Sequence, residues 1–389
     1  TGEASPPAFS GGEFFLLLLI LFVGGAMTTW YEVRGRVNPD ELPIWLGGTP
    51  YTFSVEAKEA NIKPDTRVII SVDRGDINVL PEDTDEIRVL AKKTVTTTGR
   101  EEEARRRAED VKIEIVSTPS GYEVRQTDRF SDRGRVRVDL EVHLPKKMSV
   151  EMRTVRGSLS LSGLAGGVVA TARSGDIEIR NIEKDVQVEM TGGDLRAGGI
   201  KGNLRVTGRG SETEISDVQG DATVEGEFSS LRFAKVGKIT RFVSRRTDLT
   251  VGELVGHLEL GGGQLELLDA RGNFNVVTRE KDIRLENVAG RITIQNRRGN
   301  IELRLNQPPK SEIEVDNEAG RVDIAMPAQS EFEISASSRG GEVETEFGSP
   351  ELSQSSEKRV QKLEGKVGAR GPRIRIQTTY DGIRLRKIG

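Results

Sequence analysis

The sequence contains no cysteine and only two histidines, and these absences exclude several kinds of chemistry. Without cysteine the chain has no disulfides, no thiolate metal ligands and no cysteine nucleophile. The two histidines, His143 and His257, lie far apart in the chain, each beside strand-like alternation, which argues against a two-histidine metal or haem site. The sequence therefore predicts no metal and no other cofactor.

Aromatic residues are scarce as well, at 5% of the chain, and hydrophobic residues make up only 35%, whereas 44 of the 389 residues are glycine. This mixture suits thin strands and short turns better than a helical core or a deep enzyme pocket. The 57 basic and 61 acidic residues nearly cancel, so the net charge is only −4. Such an even balance favours neither a nucleic-acid partner nor an acidic substrate. We expect no small-molecule substrate.

One short phrase recurs between residues 156 and 206: a turn containing glycine, followed by alternating apolar and polar residues. This alternation is typical of a strand with one buried face. A fixed short period indicates a β-solenoid, in which each coil covers the apolar face of the coil before it. The apolar residues that begin each strand are nine residues apart: Leu159, Val168, Ile177, Val186, Leu195 and Leu204.

Composition divides the chain around these repeats. We expect one helix at about residues 99–110, with Thr98 as its N-cap. We also expect longer turns or bulges near Thr213 and Thr240, where the nine-residue spacing of apolar residues is interrupted. The predicted segments are a short tail (1–13), a transmembrane helix (14–31), a linker (32–50), an N-terminal β cap (51–150), the solenoid repeats (151–347), an exposed hydrophilic loop (348–370) and closing strands (371–389).

A membrane anchor is predicted near the start of the sequence. Eighteen uncharged residues lie between Glu13 and Glu32, and as a helix they span about 27 Å, enough to cross the hydrocarbon core. A cleaved signal peptide is the alternative, but residues 1–13 hold no Lys or Arg and no small-residue cleavage site stands out after Met27. The anchor residues are Phe14, Phe15, Leu16, Leu17, Leu18, Leu19, Ile20, Leu21, Phe22 and Val23, with Trp30 and Tyr31 at the interface.

The flanks of this anchor suggest an orientation and a partner. Arg34 and Arg36 follow it and no basic residue precedes it, which favours a cytoplasmic body at the inner membrane by the positive-inside rule. The small residues Gly24, Gly25 and Ala26 would let a helix of a larger membrane complex approach closely.

The linker contains one apolar cluster, formed by Ile44, Trp45 and Leu46. Because the surrounding residues are rich in proline and glycine, this cluster is a candidate contact with the membrane interface or with a partner protein.

Several motifs in the repeats imitate binding signatures. Arg74-Gly75-Asp76 spells an integrin-binding tripeptide, but it occupies the turn of the repeat phrase, where glycine supplies a positive φ and the acidic residue can hydrogen-bond back onto the turn. The corner residues vary too much for a calcium-binding repeat. The Gly261-Gly262-Gly263 run lacks the Gly-Lys-Ser/Thr ending and the helix of a phosphate loop, so we interpret it as a wide corner.

The phrases RGDINV, RGSLSL, SGDIEI and RGNIEL, the segment VDLEVHLPKKMSVEMRTVRGSLSLSGLAGGV and the ending GPRIRIQTTYDGIRLRKI resemble the bacterial "putative adhesin" family of domains, DUF4097. The resemblance covers about residues 50–389. It implies a right-handed parallel β-helix, commonly tethered to or exported across a membrane. It carries no catalytic residues to transfer.

These observations favour a non-catalytic, single-pass membrane protein that serves as an accessory or scaffold subunit of a membrane complex. Its solenoid would present charged ladders on its outer face, such as Arg284, Arg291 and Arg298, to the partner. The alternative is an extracytoplasmic, adhesin-like or envelope-associated protein. A third, less favoured interpretation is a polysaccharide-active β-helix enzyme that uses paired carboxylates.

Overall fold

The computed structural model describes residues 48–59, 61–63, 65–128 and 136–389. This part of the chain forms strands almost throughout, with one α-helix, so the predicted mainly β, solenoid-like fold is confirmed. Within the same ranges no helix is both long and apolar enough to cross a membrane. The predicted transmembrane helix at 14–31 lies outside the described residues. The right-handed winding stays a prediction.

Each coil of the repeat contains two strands, and its period is 18 residues, or two beats of the sequence pattern. β10 (Val168–Ser174) pairs in parallel with β8 (Ser149–Arg156) and β12 (Val186–Met190). β11 (Ile177–Ile182) pairs in the same way with β9 (Leu159–Leu164) and β13 (Leu195–Ile200). Successive nine-residue units, each with one strand, therefore alternate between two sheets. We call the sheet that contains β8, β10 and β12 the first sheet, and the one that contains β9, β11 and β13 the second.

The core lies between these sheets and is filled by small and aliphatic side chains. In one coil Val168, Ala170 and Ala172 point inward from the first sheet, and Ile177 and Ile179 from the second, all of them at most 2% exposed. Burial of an aliphatic side chain stabilises the fold by roughly 2 kcal/mol. The stack repeats this contribution coil after coil, which explains how a chain poor in aromatic residues builds a continuous core.

Glycine at the corner between the sheets lets neighbouring coils approach closely. Gly175 has φ +136°, and a Cβ built on it would lie 2.0 Å from the carbonyl oxygen of Gly157, one coil below. A Cβ built on Gly157 would likewise lie 2.0 Å from the carbonyl oxygen of Gly75. The turn phrase keeps its glycine in successive coils because a side chain would collide with the backbone of the adjacent coil.

One coil in the middle of the stack runs backwards, which the sequence analysis did not predict. β14 (Leu204–Val218) and β15 (Ala222–Val243) pair in parallel and each pass through both sheets. β16 (Thr247–Leu260) then pairs antiparallel with β15 on one side and with β17 (Gln264–Leu268) and β18 (Phe274–Glu280) on the other. Turns at 244–246 and 261–263 reverse the chain at the two ends of β16.

A lysine stabilises the second of these turns. Lys281 Nζ donates hydrogen bonds to the carbonyl oxygens of Gly261 (2.9 Å) and Gly262 (3.3 Å). Burial and the neighbouring charge of Arg246 lower the pKa of Lys281. The glycine run is thus a hairpin turn held by a lysine. Beyond it the parallel two-strand coils resume with β18, β19 (Asp282–Glu286), β20 (Ile292–Arg298), β21 (Ile301–Arg304), β22 (Ile313–Ala319) and β23 (Val322–Pro327).

At the N-terminal end, one coil is inserted between two others. The elements of this end are β1 (Thr49–Glu59), β2 (Arg67–Arg74), β3 (Ile77–Glu82), β4 (Ile87–Thr97), α1 (Glu101–Asp110), β5 (Val111–Thr118), β6 (Gly121–Asp128) and β7 (Val136–Pro145). β2 pairs in parallel with β6 and β8, and β3 pairs in parallel with β7 and β9, so β2 and β3 form what we call the N-terminal inserted coil. Beyond β7 the second sheet continues through β4 to β1 by antiparallel pairing.

Helix α1 covers the core at this end. Its Ala104 and Ala108 are buried. Lys93 on β4 is only 4% exposed, and its Nζ donates hydrogen bonds to the carbonyl oxygens of Ala108 (2.9 Å) and Val111 (2.5 Å) at the end of the helix. Burial lowers the pKa of Lys93, although the charge of Glu109 opposes that shift.

The start of α1 differs from the sequence prediction. Arg100, with extended backbone, occupies the N-cap position, and its side chain makes no capping hydrogen bond. The prediction that Thr98 is the N-cap was therefore wrong. The nearest hydroxyl, Thr97 Oγ1, instead accepts a hydrogen bond from the Gly99 amide at 3.1 Å.

The C-terminal end repeats the inserted arrangement. Its strands are β24 (Phe332–Ser338), β25 (Val343–Thr345), β26 (Ser353–Glu357), β27 (Val360–Val367), β28 (Arg373–Thr378) and β29 (Ile383–Ile388). β28 lies between β22 and β24, and β29 lies between β23 and β25, all in parallel, so β28 and β29 form the C-terminal inserted coil. The strands predicted to close the stack thus lie inside it. The prediction of a loop at 348–370 was wrong, since this segment folds into the β26–β27 hairpin, whose β27 pairs antiparallel with β24.

Candidate binding surface

The outward face of the first sheet carries side chains in columns that run along the stack. Because strand residues alternate between faces, every second residue of β2, β8, β10 and β12 points outward. In one column the parallel register aligns Ser71, Arg153, Thr171 and Glu189 on four successive coils. Columns of this kind leave furrows between them that cross several coils.

Two such furrows lie side by side on this face. The larger has a volume of about 500 Å³ and crosses five coils from Arg67 to Arg205, with Val169, Gln187 and Asn203 among its lining residues. The second, of about 320 Å³, is lined by residues that include Ser71, Arg153, Thr171, Val155 and Glu189. Their linings combine hydroxyl, amide, guanidinium and carboxylate groups with valines, a mixture suited to binding an extended polar partner.

A buried carboxylate positions two arginines at the edge of these furrows. Glu151 on β8 points outward, yet it is only 1% exposed. Its carboxylate contacts the guanidinium groups of Arg67 and Arg153, whose side chains are about half exposed. At the far end of the larger furrow, Arg205 pairs with Glu225 at 3.0 Å. The arginines of this face are therefore held in place by carboxylates before any partner binds.

The outward face of the second sheet is organised differently. Along it, Glu178, Arg196, Glu214 and Arg232 follow one another in register with alternating charge. The groove on this face that Arg196, Glu214 and Arg232 line has a volume of only about 130 Å³. Because this groove is much smaller than the furrows of the first sheet, this face offers less room to a partner than the first sheet does.

The acidic residues of the turn phrases serve the fold. One oxygen of the Asp76 carboxylate accepts a hydrogen bond from the Ser158 amide at 2.7 Å, and the other accepts one from Arg137 at 2.6 Å. Asp176 accepts from the Asp194 amide, one coil further along, at 2.9 Å. The prediction that these side chains bond back onto their own turn was wrong, because they bond to the next coil. The Arg-Gly-Asp carboxylate is thus fully engaged within the protein.

Groups of metal-binding side chains are absent from the described residues. In the ranges 48–59, 61–63, 65–128 and 136–389, no three His, Cys, Asp or Glu side chains are grouped so that they could hold a metal ion.

The three arginines expected to form an outward ladder do not share a face. Arg284 lies on β19 in the second sheet, whereas Arg298 ends β20 in the first sheet, and Arg291 precedes β20. Each has glutamate partners, at distances of 2.9 Å for Arg284, 3.5 Å for Arg291 and 3.8 Å for Arg298. The prediction that they form one partner-binding ladder was therefore wrong.

The remaining predicted sites lie outside the described residues. These are the anchor Phe14–Val23 with Trp30 and Tyr31, the helix-contact residues Gly24, Gly25 and Ala26, the basic residues Arg34 and Arg36, and the cluster Ile44, Trp45 and Leu46.

The family profile "Toastrack DUF4097" matches residues 66–386, which include nearly all of the solenoid and both inserted coils. The chain belongs to the DUF4097 Toastrack family. The resemblance expected from the turn phrases is thereby confirmed. A search of curated proteins gives no match for this Toastrack protein.

Among solved structures, a match is a "putative cell adhesion protein" from Clostridium sporogenes. It is 8% identical, and the alignment covers 87% of this Toastrack protein and 100% of the other chain, with a TM-score of 0.21. Similarity at this level supports no conclusion about fold or function.

The furrows of the first sheet were missed by the sequence analysis. Their residues are ordinary outward positions of the repeat, and only the register between strands aligns them. The available signal was a valine in positions where the alternation calls for a polar residue, exposed at Val155 and partly buried at Val169.

Proposed function

We propose that this Toastrack protein is a non-catalytic rod that binds a macromolecular partner along the outward face of the first sheet. The observation that carries the proposal is the pair of furrows of about 500 and 320 Å³ that cross successive coils on one face. Open furrows that continue over several strands suit an extended partner, whereas a small substrate is usually enclosed in a single concave pocket.

The fold gives this face the stiffness that a scaffold needs. Each coil is hydrogen-bonded to the coils on both sides, and the inserted coils fix the two ends through pairings between distant parts of the chain. Residues on different coils, such as Ser71 and Glu189, therefore keep their spacing. A partner would meet a preformed surface, which reduces the ordering cost of binding.

In the finer form of the proposal, the partner is a protein complex of the inner membrane. The predicted helix at 14–31 would anchor the rod, with Gly24, Gly25 and Ala26 against a helix of the complex and Arg34 and Arg36 on the cytoplasmic side. The rod then serves as an accessory or scaffold subunit.

A pair of matched substitutions tests the role of the first sheet. Thr171→Arg fills the smaller furrow, and Ser160→Arg places the same side chain on the second sheet, from the neighbouring strand β9. We expect the full chain carrying Thr171→Arg to recover at least about fivefold less partner from native membranes, a loss of roughly 1 kcal/mol, while Ser160→Arg recovers as much as the unchanged chain. Equal recovery with both variants would overturn the proposal.

Deletion of residues 1–31 tests the membrane tether. We expect the shortened chain to stay folded by circular dichroism, to leave the membrane fraction and to lose its copurifying complex. Unfolding on this deletion, or unchanged recovery of the complex, would contradict this division between anchor and rod.

The second candidate is an extracytoplasmic, adhesin-like role, which the same surface serves equally well because it is open to an extended polar partner. The two candidates differ in the side of the membrane on which the rod lies. Protease added to intact cells should leave the rod undigested if it is cytoplasmic. Digestion without permeabilisation would favour the adhesin-like role.

A further inference from the structure

One histidine lies between two carboxylates at the N-terminal end of the rod. His143 points outward from β7, where its Nδ1 is 2.6 Å from Glu82 Oε1 and its Nε2 is 2.9 Å from Glu141 Oε1. A carboxylate only accepts hydrogen bonds, and a neutral imidazole carries a single N–H. Both contacts are therefore satisfied only when the ring is protonated and donates from both nitrogens.

This contact joins parts of the fold that are far apart in the sequence. Glu82 ends β3, which belongs to the N-terminal inserted coil, and His143 lies 61 residues further along on the adjacent strand. On the opposite side of β7, Arg88 of β4 lies directly across from His143 in the antiparallel register. The charged groups that face the ring are thus Glu82 from β3, Glu141 from β7 itself and Arg88 from β4.

The surroundings change how readily the ring is protonated. Burial by itself lowers the pKa of His143, and the charge of Arg88 acts in the same direction. The hydrogen bonds with Glu82 and Glu141, together with the charge of Glu82, outweigh both effects, so the pKa lies above its usual value of 6.5. Ionic contacts of this strength keep the ring charged in slightly acidic conditions.

The C-terminal inserted coil is fastened by a group that does not titrate in this range. Arg386 on β29 donates to both carboxylate oxygens of Asp323 on β23, at 2.8 and 3.1 Å. A guanidinium remains charged at any pH at which the protein is folded. The N-terminal inserted coil has a similar contact, from Arg137 on β7 to Asp76 at 2.6 Å. The histidine contact is an additional fastening at the N-terminal end.

We propose that His143 acts as a pH-dependent clamp, which fastens the N-terminal inserted coil to β7 when protonated and loosens this end of the rod when it loses its proton. A histidine whose folded pKa is raised stabilises the fold fully below its unfolded pKa of about 6.5. This contribution is lost as the pH rises through the folded pKa. The C-terminal end stays fastened throughout.

Hydrogen exchange of the full chain tests the clamp. After correction for intrinsic rates, we expect amides of β4 and β7 to exchange roughly five- to tenfold more slowly at about pH 6 than at about pH 8.5, which is about the net effect of one hydrogen bond. Amides of β23 and β29 should show no such difference. Equal pH dependence at both ends would overturn the proposal.

The second histidine supplies a matched control. His257 is 41% exposed and its Nε2 lies 3.7 Å from Glu259. We expect His143→Gln to abolish the pH difference in β4 and β7 and His257→Gln to preserve it. If His143→Gln fails to fold, Glu82→Gln removes one acceptor charge from a side chain that is 47% exposed and should at least halve the difference. A difference that survives in Glu82→Gln and in every folded His143 variant would refute the clamp.

Discussion

Arg386 and Asp323 lie 63 residues apart in the chain, and the Arg386 Nε donates hydrogen bonds to both oxygens of the Asp323 carboxylate, at 2.8 and 3.1 Å. The pair fastens β29 of the C-terminal inserted coil to β23, and its side chains are 37% and 19% exposed. The hydrogen bond with Asp323 raises the pKa of Arg386 above its already high value. The guanidinium therefore stays charged throughout the neutral pH range.

Removal of this contact should weaken the C-terminal end. We expect Arg386→Ala to lower the free energy of unfolding by about 1 kcal/mol in urea denaturation, with solvent screening limiting the loss. Arg298→Ala is the control, since Arg298 is 73% exposed and its contact with Glu280 spans 3.8 Å. It should change stability by less than about 0.5 kcal/mol. Equal losses would contradict a fastening role for Arg386.

Truncation after residue 370 removes β28 and β29 and should also destabilise the strands that remain beside them. The deleted strands β28 and β29 bury Ile374, Ile376, Ile383 and Leu385 almost completely, and each is worth roughly 2 kcal/mol. Because they separate β22 and β23 from β24 and β25, we expect β24–β27 to lose protection in hydrogen exchange. Retained protection of β24 in the truncated chain would show that this coil is dispensable.

Glycine at the corner should be intolerant of a side chain. Gly175→Ala combines a φ of +136° with a Cβ 2.0 Å from the Gly157 carbonyl oxygen, so we expect a loss of at least about 2 kcal/mol in thermal or urea unfolding. Gly262→Ala, whose Cβ would meet no atom within 4 Å, should change stability by less than about 0.5 kcal/mol. Similar effects of the two substitutions would rule out the close approach between coils.

The stability of the corners should depend on the acceptor oxygen of the acidic residue and not on its charge. Asp176→Ala removes the acceptor of the Asp194 amide, and we expect a loss of about 1 kcal/mol. Asp176→Asn should retain most of the stability, because Asn203 at the opposite corner makes the equivalent bond to the Asp221 amide at 2.9 Å.

Calcium should leave the melting temperature unchanged for the original chain and for both Asp176 variants. A rise on adding calcium that disappears in Asp176→Ala would mean that the corner is a metal site after all.

The sequence predicts local structure well here because the repeat is dictated by neighbours a few residues apart. The nine-residue beat identifies the strands and their inward residues, from Leu159 to Leu204. The bulge predicted near Thr240 is confirmed, because the register between β15 and β16 shifts at 234–239. The predicted slips in the apolar pattern are wrong, since Thr213 and Thr240 both keep the nine-residue spacing and are buried, at 2% and 0% exposure. The error came from treating a threonine as a break in an apolar pattern, although a β-branched residue fits a buried strand position.

The inserted coils and the furrows could not be predicted, since both depend on pairing between distant strands. Nothing near Arg373–Thr378 indicates that this strand lies between β22 and β24. Likewise, Ser71 and Glu189 line the same furrow only because three parallel registers align them.

The reversed coil also has a consequence for the order of folding. Its pairs Val243–Asp248 and Leu260–Leu265 close hairpins over a few residues, whereas the inserted coils need contacts such as Ile77–Leu140 and Ile313–Ile374. The longer loops cost about 2 kcal/mol more in chain entropy to close. We therefore expect β15–β17 to form first, with the stack growing outward in both directions and the two ends locking last.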